Sequence, residues 1–373
     1  MVPWLDLTRQ YQQLRGELTR TLDDLMSRSS FILGPYVDTF EADFARFVGS
    51  KHCIGLNSGT SALHLALLAC GVERGDEVIT TPATWISTCW AISYVGAKPV
   101  FVDIDPQTCG LDADRVEHAI TSRTRAILPV HLYGQAADIA GLCSVAVRHD
   151  LPLIEDACQA HAATFAGKHL GTFGAAGCFS FYPGKNLGAF GEAGALVTDD
   201  DAIARRVRQL RDHAQAARHH HVEIGYNMRM EGVQGAVLGV KLPHLGAWTE
   251  RRRAIGARYD AAFGDLSQFR LMREPRGVRF NRHIYPLCCD NRESLRDELT
   301  RRDVQTAVHY PTPVHLQPAY QYLGHRPGDF PHAEKLCATQ VTLPMFPELS
   351  DAEVTQTIDA VRAWAKLHDR AAA

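Results

Sequence analysis

One lysine of this 373-residue chain stands on a short glycine-bounded turn that follows an aromatic, strand-like run. The stretch reads Ser-Phe-Tyr-Pro-Gly-Lys-Asn-Leu-Gly over residues 180–188, with the lysine at position 185. A tight turn after a strand holds the amine on rigid backbone, and lysine amines act as nucleophiles toward carbonyl compounds. Lys185 is therefore the first candidate for a catalytic residue.

Two other interpretations of the Gly-Lys pair are a phosphate loop and an ordinary surface lysine. Six residues separate Gly177 from Gly184 where the Walker A motif has four, and Asn186 stands where that motif needs Ser or Thr. This spacing excludes a nucleoside-triphosphate loop. Most isolated lysines are exposed because burying an ammonium group is costly, so the neighbouring candidate residues decide the second question.

The composition is typical of a globular enzyme and argues against several other classes. Hydrophobic residues make up 46% and charged residues 22%, and the net charge of −3 gives no basic field for nucleic acid. The ten cysteines form no CxxC or Cys/His zinc spacing, which is typical of thiols in a reducing compartment. No leader-like or membrane-spanning apolar run is visible. These features predict a cytoplasmic protein without nucleic-acid, membrane or metal partners.

Short β-rich runs alternate with helical patterns after an N-terminal arm of one or two helices. The candidate strands are 53–56, 77–80, 99–104, 126–130, 151–155, 178–182 and 195–198. Several are apolar on consecutive residues, which is typical of strands covered on both faces. The alternation predicts an α/β fold with a mostly parallel sheet that binds its ligand at the carboxyl ends of the strands.

An arginine-bearing helix near residues 246–265 leads into a second, smaller α/β unit. Its expected elements are a strand at 283–288, a helix at 293–302, a short strand at 305–309 and a last helix at 352–367. The predicted division is an N-terminal arm and large domain over residues 1–245, and a small C-terminal domain over residues 246–373.

Further candidate residues follow the predicted strands. Gly59 and Thr60 open a helix, whose N-terminus either binds a phosphate or is simply capped. Trp85 either stacks on a planar cofactor or packs in the core. Asp156 ends an apolar strand and needs a cationic partner, either a protonated pyridine nitrogen or an arginine, and Gln159 could donate to a phenolate oxygen beside such a ring. With Lys185 these residues form the set that a pyridoxal 5'-phosphate site needs.

The sequence also resembles the DegT/DnrJ/EryC1/StrS sugar aminotransferases over nearly its whole length. The matching blocks are LGP at 33–35, NSGT at 57–60, PVFVDID at 99–105, PVHLYG at 129–134, EDA at 155–157, QAH at 159–161, FSFY at 179–182, KNLG at 185–188, GYN at 225–227 and LPMF at 343–346. The resemblance implies a fold type I, aspartate aminotransferase-like transferase with a large seven-stranded, mostly parallel sheet domain and a smaller C-terminal α/β domain.

The resemblance also implies a role for each matching position. Lys185 would form the Schiff base with pyridoxal phosphate, and Asp156 would pair with the pyridine nitrogen. Asn227 would reach the phosphate from the neighbouring subunit, which implies a homodimer with shared active sites. The implied cofactor-binding residues are Gly59, Thr60, Trp85, Asp156, Gln159, Ser180, Lys185 and Asn227.

The implied reaction is ping-pong transfer of an amino group from an amino acid, usually glutamate, to a nucleotide-linked keto-deoxysugar in deoxyaminosugar or antibiotic biosynthesis. The block at 309–320 is closer to members that aminate sugar C3 than to C4 enzymes. Tyr310 and His315 are candidates for the substrate side, or parts of a Pro-rich turn. Arg229 would bind a carboxylate or diphosphate, or pair with Glu231.

Four alternatives stay open at this point. The acceptor could be a C4 keto-sugar or a cyclitol or other carbonyl compound, and the chain could be a non-catalytic regulator or scaffold. A sugar dehydratase is disfavoured, because the dehydratases that resemble this chain have histidine where Lys185 stands.

The run at His219–His221 either binds a metal or forms a solvated loop or lid, and the loop is favoured because consecutive residues point in different directions.

Overall fold

The computed structural model describes residues 1–369, which form α-helices and short strands joined by loops. The helices are α1 (Leu7–Ser27), α2 (Pro35–Val48), α3 (Gly59–Ala69), α4 (Ser87–Tyr94), α5 (Ala113–His118), α6 (Ile139–Arg148), α7 (Asp201–Arg211), α8 (Gly232–Lys241), α9 (Leu245–Phe263), α10 (Arg292–Arg301), α11 (Pro331–Thr339) and α12 (Asp351–Asp369). The strands are β1 (His52–Leu56), β2 (Glu77–Thr80), β3 (Lys98–Phe101), β4 (Thr124–Ile127), β5 (Ile154–Asp156), β6 (Thr164–Phe165), β7 (Lys168–His169), β8 (Ala176–Ser180), β9 (Gly194–Thr198), β10 (Gln215–Ala217), β11 (His220–His221), β12 (Arg270–Leu271), β13 (Val278–Arg279), β14 (Tyr285–Cys288) and β15 (Gln340–Leu343).

The central sheet has the strand order β3-β2-β4-β5-β8-β9-β1. Its two ladders, β3-β2-β4 and β5-β8-β9-β1, are joined by parallel bridges from Ile127 to Leu153 and from Val130 to Asp156. Strand β9 runs antiparallel to both its neighbours, and the other neighbouring pairs are parallel. The seven predicted strands are all present, with ends shifted by a few residues, and together they form the expected mostly parallel sheet.

Apolar packing on both faces explains why these strands read as continuous apolar runs. Strands β2, β5 and β9 are buried at every residue. On one face, Phe40 and Phe44 of α2 contact Phe179 and Phe181 edge-on at centroid distances of 5.1–5.2 Å. This cluster holds the end of β8, and the turn with Lys185 follows directly.

The C-terminal unit contains the antiparallel sheet β12-β14-β15, whose core includes side chains of α9, α10 and α12. The strand predicted at 305–309 is wrong, because the chain makes only an isolated bridge there, between Ala307 and Thr342. Pro311 and Pro313 follow at once and lack the N–H groups that a continuing ladder needs. The strand that pairs with β14 along its length is β15, which the sequence analysis missed.

The first residues of the chain also contact the C-terminal unit. Val2 is 1% exposed within its core and bridges to Val304. The division near residue 245 therefore stays a proposal, because the N-terminal arm touches both parts. Within residues 1–369, no helix is both long enough and apolar enough to span a membrane.

Candidate active site

A cavity of about 1180 Å³ opens where β5 and β8 end, at the edge of the sheet where ligands were expected. It exceeds the 300–1,000 Å³ that is typical of small-molecule sites, so it has room for a cofactor and a large substrate. Most of the predicted site residues line it. They are Gly59, Thr60, Trp85, Asp156, Gln159, Ser180, Lys185 and Tyr310.

Lys185 is held by a closed turn at the end of β8. Its backbone N–H donates to the carbonyl oxygen of Tyr182 at 2.8 Å. A Cβ on Gly188 would lie 2.2 Å from the carbonyl oxygen of Pro183, so this turn requires glycine. Burial lowers the pKa of the Lys185 amine from its ordinary value of 10.5, and the neighbouring Cys158 and Asp156 partly offset that effect. A larger fraction of the amine is therefore neutral and nucleophilic than in an exposed lysine.

Asp156 is a buried carboxylate, 5% exposed, at the last position of β5. It accepts hydrogen bonds from the Thr88 hydroxyl at 2.8 Å and from the Cys158 N–H at 3.2 Å. Among residues 1–369, no Lys, Arg or His side chain forms an ion pair with its carboxylate within 4.0 Å. The arginine alternative therefore fails for the described chain, and a buried anion that faces the cavity fits a protonated pyridine nitrogen.

The start of α3 lies directly against the end of β8. A Cβ on Gly59 would lie 2.7 Å from the Cβ of Ser180, so only glycine allows this approach. The Ser58 side chain caps the helix by accepting the Ser61 N–H at 3.1 Å. Capping therefore coexists with a helix N-terminus that faces the cavity beside the Ser180 and Thr60 hydroxyl groups. This arrangement fits a phosphate group.

Trp85 does not pack in the core. Its side chain is 52% exposed in the cavity wall, and its ring lies 5.2 Å from that of Tyr310 at an interplanar angle of 43°. Gln159 accepts the Tyr133 N–H at 2.6 Å and donates to the Tyr310 hydroxyl at 3.3 Å. An exposed ring beside a buried amide is an arrangement that fits a planar polar cofactor.

Three predicted residues do not line the cavity. His315 is 1% exposed, and it pairs with Glu334 at 3.2 Å and packs on Phe330, because its short 3₁₀ turn directs the ring inward. Arg229 binds Asp212 at 3.2 Å and the Asn227 side-chain oxygen at 2.9 Å, and not Glu231 as considered from the sequence. Asn227 is exposed outside the cavity of its own chain.

Several lining residues were missed by the sequence analysis, including Trp4, His283 and His309. They come from the N-terminal arm and the C-terminal unit, and no local pattern marks them. His283 contacts the Asn186 side-chain oxygen at 3.0 Å, beside Lys185. Burial lowers the pKa of His309 to about 4, with a contribution from Lys185, so its ring is neutral near pH 7.

The histidine run forms an exposed hairpin. His220 and His221 make β11, which pairs with β10. Over the described part of the chain, no group of three or more His, Cys, Asp or Glu side chains is arranged to hold a metal ion. The hairpin geometry agrees with the loop interpretation of this run.

A buried lysine behind the site ties down the turn that carries Lys185. Lys241, at the end of α8, is 3% exposed and donates to the Gly188 carbonyl oxygen at 2.7 Å. Its ammonium also lies 4.7 Å from the Phe190 ring centroid. Burial lowers the pKa of Lys241 from 10.5 to about 8, which Glu348 partly opposes. The far end of the turn is thus anchored to a helix.

We expect Lys241 to make the unfolding free energy rise with pH between about 8 and 10.5. In this window the folded lysine is neutral while the unfolded lysine binds a proton, so higher pH favours the folded state. Denaturant titrations of the wild type and Lys241→Met at about pH 8 and about pH 10 measure this effect. The unfolding free energy of the wild type, relative to that of Lys241→Met, should be larger at the higher pH. A difference between the two proteins that does not change with pH would contradict the expectation.

The fold and the site together define a class of enzyme. A seven-stranded sheet with one antiparallel strand presents a lysine of lowered pKa, a buried carboxylate and a glycine-opened helix N-terminus to one cavity. These are the groups that a fold type I pyridoxal phosphate-dependent transferase uses.

The family model of the DegT/DnrJ/EryC1/StrS aminotransferase family matches residues 12–362. The chain belongs to this family, and it is an aminotransferase.

Curated relatives match over almost the whole chain. A dTDP-3-amino-3,4,6-trideoxy-alpha-D-glucose transaminase of Streptomyces venezuelae is 41% identical over 370 residues, covering 99% of this chain and 98% of the relative. A UDP-2-acetamido-2-deoxy-3-oxo-D-glucuronate aminotransferase of Pseudomonas aeruginosa is 37% identical, covering 95% and 98%. A protein of Geobacillus stearothermophilus named pleiotropic regulatory protein is 44% identical, covering 96% and 97%.

Solved structures confirm the fold class. S. venezuelae DesV in complex with a ketimine intermediate has a TM-score of 0.96 and 41% identity, covering 98% of each chain. NtdA of Bacillus subtilis, with its bound cofactor PMP, has a TM-score of 0.90 and 30% identity, covering 98% of this chain and 85% of NtdA. PMP is the amino form of pyridoxal phosphate, so the cofactor expected from the sequence is the one found in this family.

Proposed function

We propose that this aminotransferase moves an amino group from L-glutamate to C3 of a nucleotide-linked keto-deoxysugar by a ping-pong mechanism. The observation that carries the proposal is the single cavity that brings Lys185 and Asp156 together with room for a nucleotide sugar. Position 3 is supported by the names of the S. venezuelae and P. aeruginosa relatives, which place the amino or keto group there. Such a reaction belongs to deoxyaminosugar or natural-product biosynthesis.

Asp156 and Lys185 have different roles in the proposed reaction. When bound, pyridoxal phosphate supplies an electron sink for the carbanion formed at the carbon that carries the amino group. Asp156 would keep the pyridine nitrogen protonated, because its carboxylate is buried and no cationic side chain of the described residues pairs with it. The Lys185 amine moves the proton at the reacting carbon, for which its lowered pKa suits it.

Other groups bind and orient the cofactor. Thr60, Ser180 and the N–H groups at the start of α3 would hold the phosphate, and Gly59 allows the helix start to lie close to Ser180. Trp85 would cover one face of the cofactor ring, and Gln159 would lie beside the ring hydroxyl; both line the cavity. Tyr310, fixed by its hydrogen bond from Gln159, faces the acceptor.

We propose a homodimer in which Asn227 of each subunit completes the site of the other. Asn227 is exposed, and Arg229 holds its side-chain oxygen at 2.9 Å, so its orientation is set. Large aromatic side chains are exposed at the rim of the cavity: Trp85 at 52%, Tyr182 at 54% and Phe190 at 43%. Exposed apolar side chains around a site are typical of a surface that another protein covers.

A cytoplasmic location is part of the proposal. All ten cysteines are free thiols in the structure, and seven of them are buried. Unpaired cysteines at this number are typical of a reducing compartment.

A difference in absorption spectra tests the proposed reaction directly. We expect the protein, loaded with pyridoxal phosphate, to show a visible band that L-glutamate bleaches. One keto-sugar from a panel of dTDP- and UDP-linked 3-keto and 4-keto sugars should then restore the band. Restoration by a 4-keto sugar or a cyclitol ketone alone would replace the C3 assignment, and a protein that never gains a band would refute the proposal.

The name of the Geobacillus relative raises a regulatory role as the second candidate. A regulator that only kept the fold would have no use for a partly buried lysine and an unpaired buried carboxylate in one cavity. Because both groups are costly to keep, they favour catalysis.

A further inference from the structure

Four aromatic rings form a continuous row along one wall of the cavity. Trp4 lies 5.6 Å from His309, His309 lies 5.6 Å from Tyr310, and Tyr310 lies 5.2 Å from Trp85. All four line the cavity. Trp85 is at the cofactor end of this aromatic row, and Trp4 is at the opposite end.

The N-terminal strap, residues 1–6, brings Trp4 to this wall. Val2 anchors the strap in the core of the C-terminal unit, where its N–H donates to Asp303 at 2.6 Å and its carbonyl accepts from Gln305 at 3.0 Å. At the other end Asp6 caps α1 and Arg9 binds Glu353 at 2.6 Å. The strap is thus fixed on both sides of Trp4.

The strap also approaches the catalytic turn. A Cδ atom of Leu5 lies 3.4 Å from the position of a Cβ on Gly184, the residue before Lys185. Both Trp4 and Leu5 line the cavity, whereas no residue of the following helix α1 (Leu7–Ser27) does. The first residues of the chain are therefore part of the site wall.

We propose that Trp4 is a specificity-determining residue that binds the sugar ring of the acceptor, an inference that rests on the proposed function. A deoxysugar presents an apolar C–H face where a hydroxyl is missing, and the half-buried indole offers a flat apolar surface to it. The neutral His309 ring beside it adds no charge at pH 7. L-Glutamate has a short, charged side chain that gains no binding energy from this apolar surface. Trp4 therefore strengthens binding of the sugar substrate and not of glutamate.

The test compares two amino compounds that convert the loaded enzyme in the same direction. Loss of the visible band is followed in single turnovers with L-glutamate and with dTDP-3-amino-3,4,6-trideoxy-alpha-D-glucose, or with the UDP-linked 3-amino sugar that the wild type accepts. Trp4→Ala should weaken the apparent affinity for the amino sugar about tenfold and leave that for glutamate within about twofold. Trp4→Phe should keep most of the affinity, and Tyr322→Ala, an exposed aromatic outside the cavity, should change neither.

Calorimetric binding gives a second readout that needs no turnover. The loaded enzyme is titrated with a dTDP-linked deoxyhexose that has no keto group and with dTDP alone, and Trp4→Ala should lose affinity only for the sugar-bearing ligand. If both half-reactions weaken equally, or if Trp4→Ala matches the wild type, the inference is overturned. If the wild type responds to glutamate but to no nucleotide-linked amino sugar, the proposed function fails, and the role of Trp4 falls with it.

Discussion

Replacement of Lys185 by alanine is expected to reduce both half-reactions by more than roughly 10⁴-fold, the upper range for a group that transfers protons. The variant loses the only amine of the described chain that lines the cavity, so nothing remains to bond the cofactor or move the proton. Stopped-flow measurement with L-glutamate and with the amino sugar gives the two rates. The visible band of the loaded wild type should also be absent or shifted in this variant.

The fold should survive this change, because Lys185 contributes a chemical group and little core volume. We expect the free energy of unfolding to stay within about 1 kcal/mol of the wild type, and the elution volume in size exclusion to be unchanged. Lys98→Ala is the matched control. Lys98 is exposed at the start of β3, whereas the cavity lies at the carboxyl ends of the strands. Turnover of Lys185→Ala at the rate of this control would show that another group performs the chemistry.

Replacement of Asp156 by asparagine should lower the rate of both half-reactions on the order of 10²–10³-fold, the cost of removing one preorganised electrostatic group. Asparagine keeps the size of the side chain. It also keeps an oxygen that can accept from the Thr88 hydroxyl, which lies 2.8 Å from the Asp156 carboxylate in the wild type. It loses the negative charge that holds a proton on the pyridine nitrogen. The variant should therefore still bind the cofactor, which absorption and a cofactor titration measure.

Asp201→Asn provides the control for loss of one carboxylate, because Asp201 pairs with Lys51 on the surface at 2.7 Å. This control should react as the wild type does. If Asp156→Asn also keeps wild-type rates, the carboxylate does not set the protonation of the ring. Failure to bind the cofactor at all would instead assign Asp156 to binding.

The sequence by itself determined the part of the site that depends on where the strands end and where the chain turns. Asp156, Ser180 and Gly59 each adjoin the carboxyl end of an apolar strand, and strands in a mostly parallel sheet bring those ends to one edge. Their spatial proximity therefore follows from the strand positions, which the pattern of apolar residues predicts. The turn at Lys185 was equally visible, because proline and glycine limit the backbone within a few residues.

Only the tertiary structure decided which segments close the cavity from the other side. Trp4, His283 and His309 come from parts of the chain far apart in sequence, and their meeting depends on packing between the N-terminal strap, β14 and β15. No periodicity encodes such a meeting. Packing also turned His315 into the core, although the same Pro-rich block leaves Tyr310 in the cavity. Residues a few positions apart in a loop differ in direction, and the contacts of the folded chain alone select which of them faces the cavity.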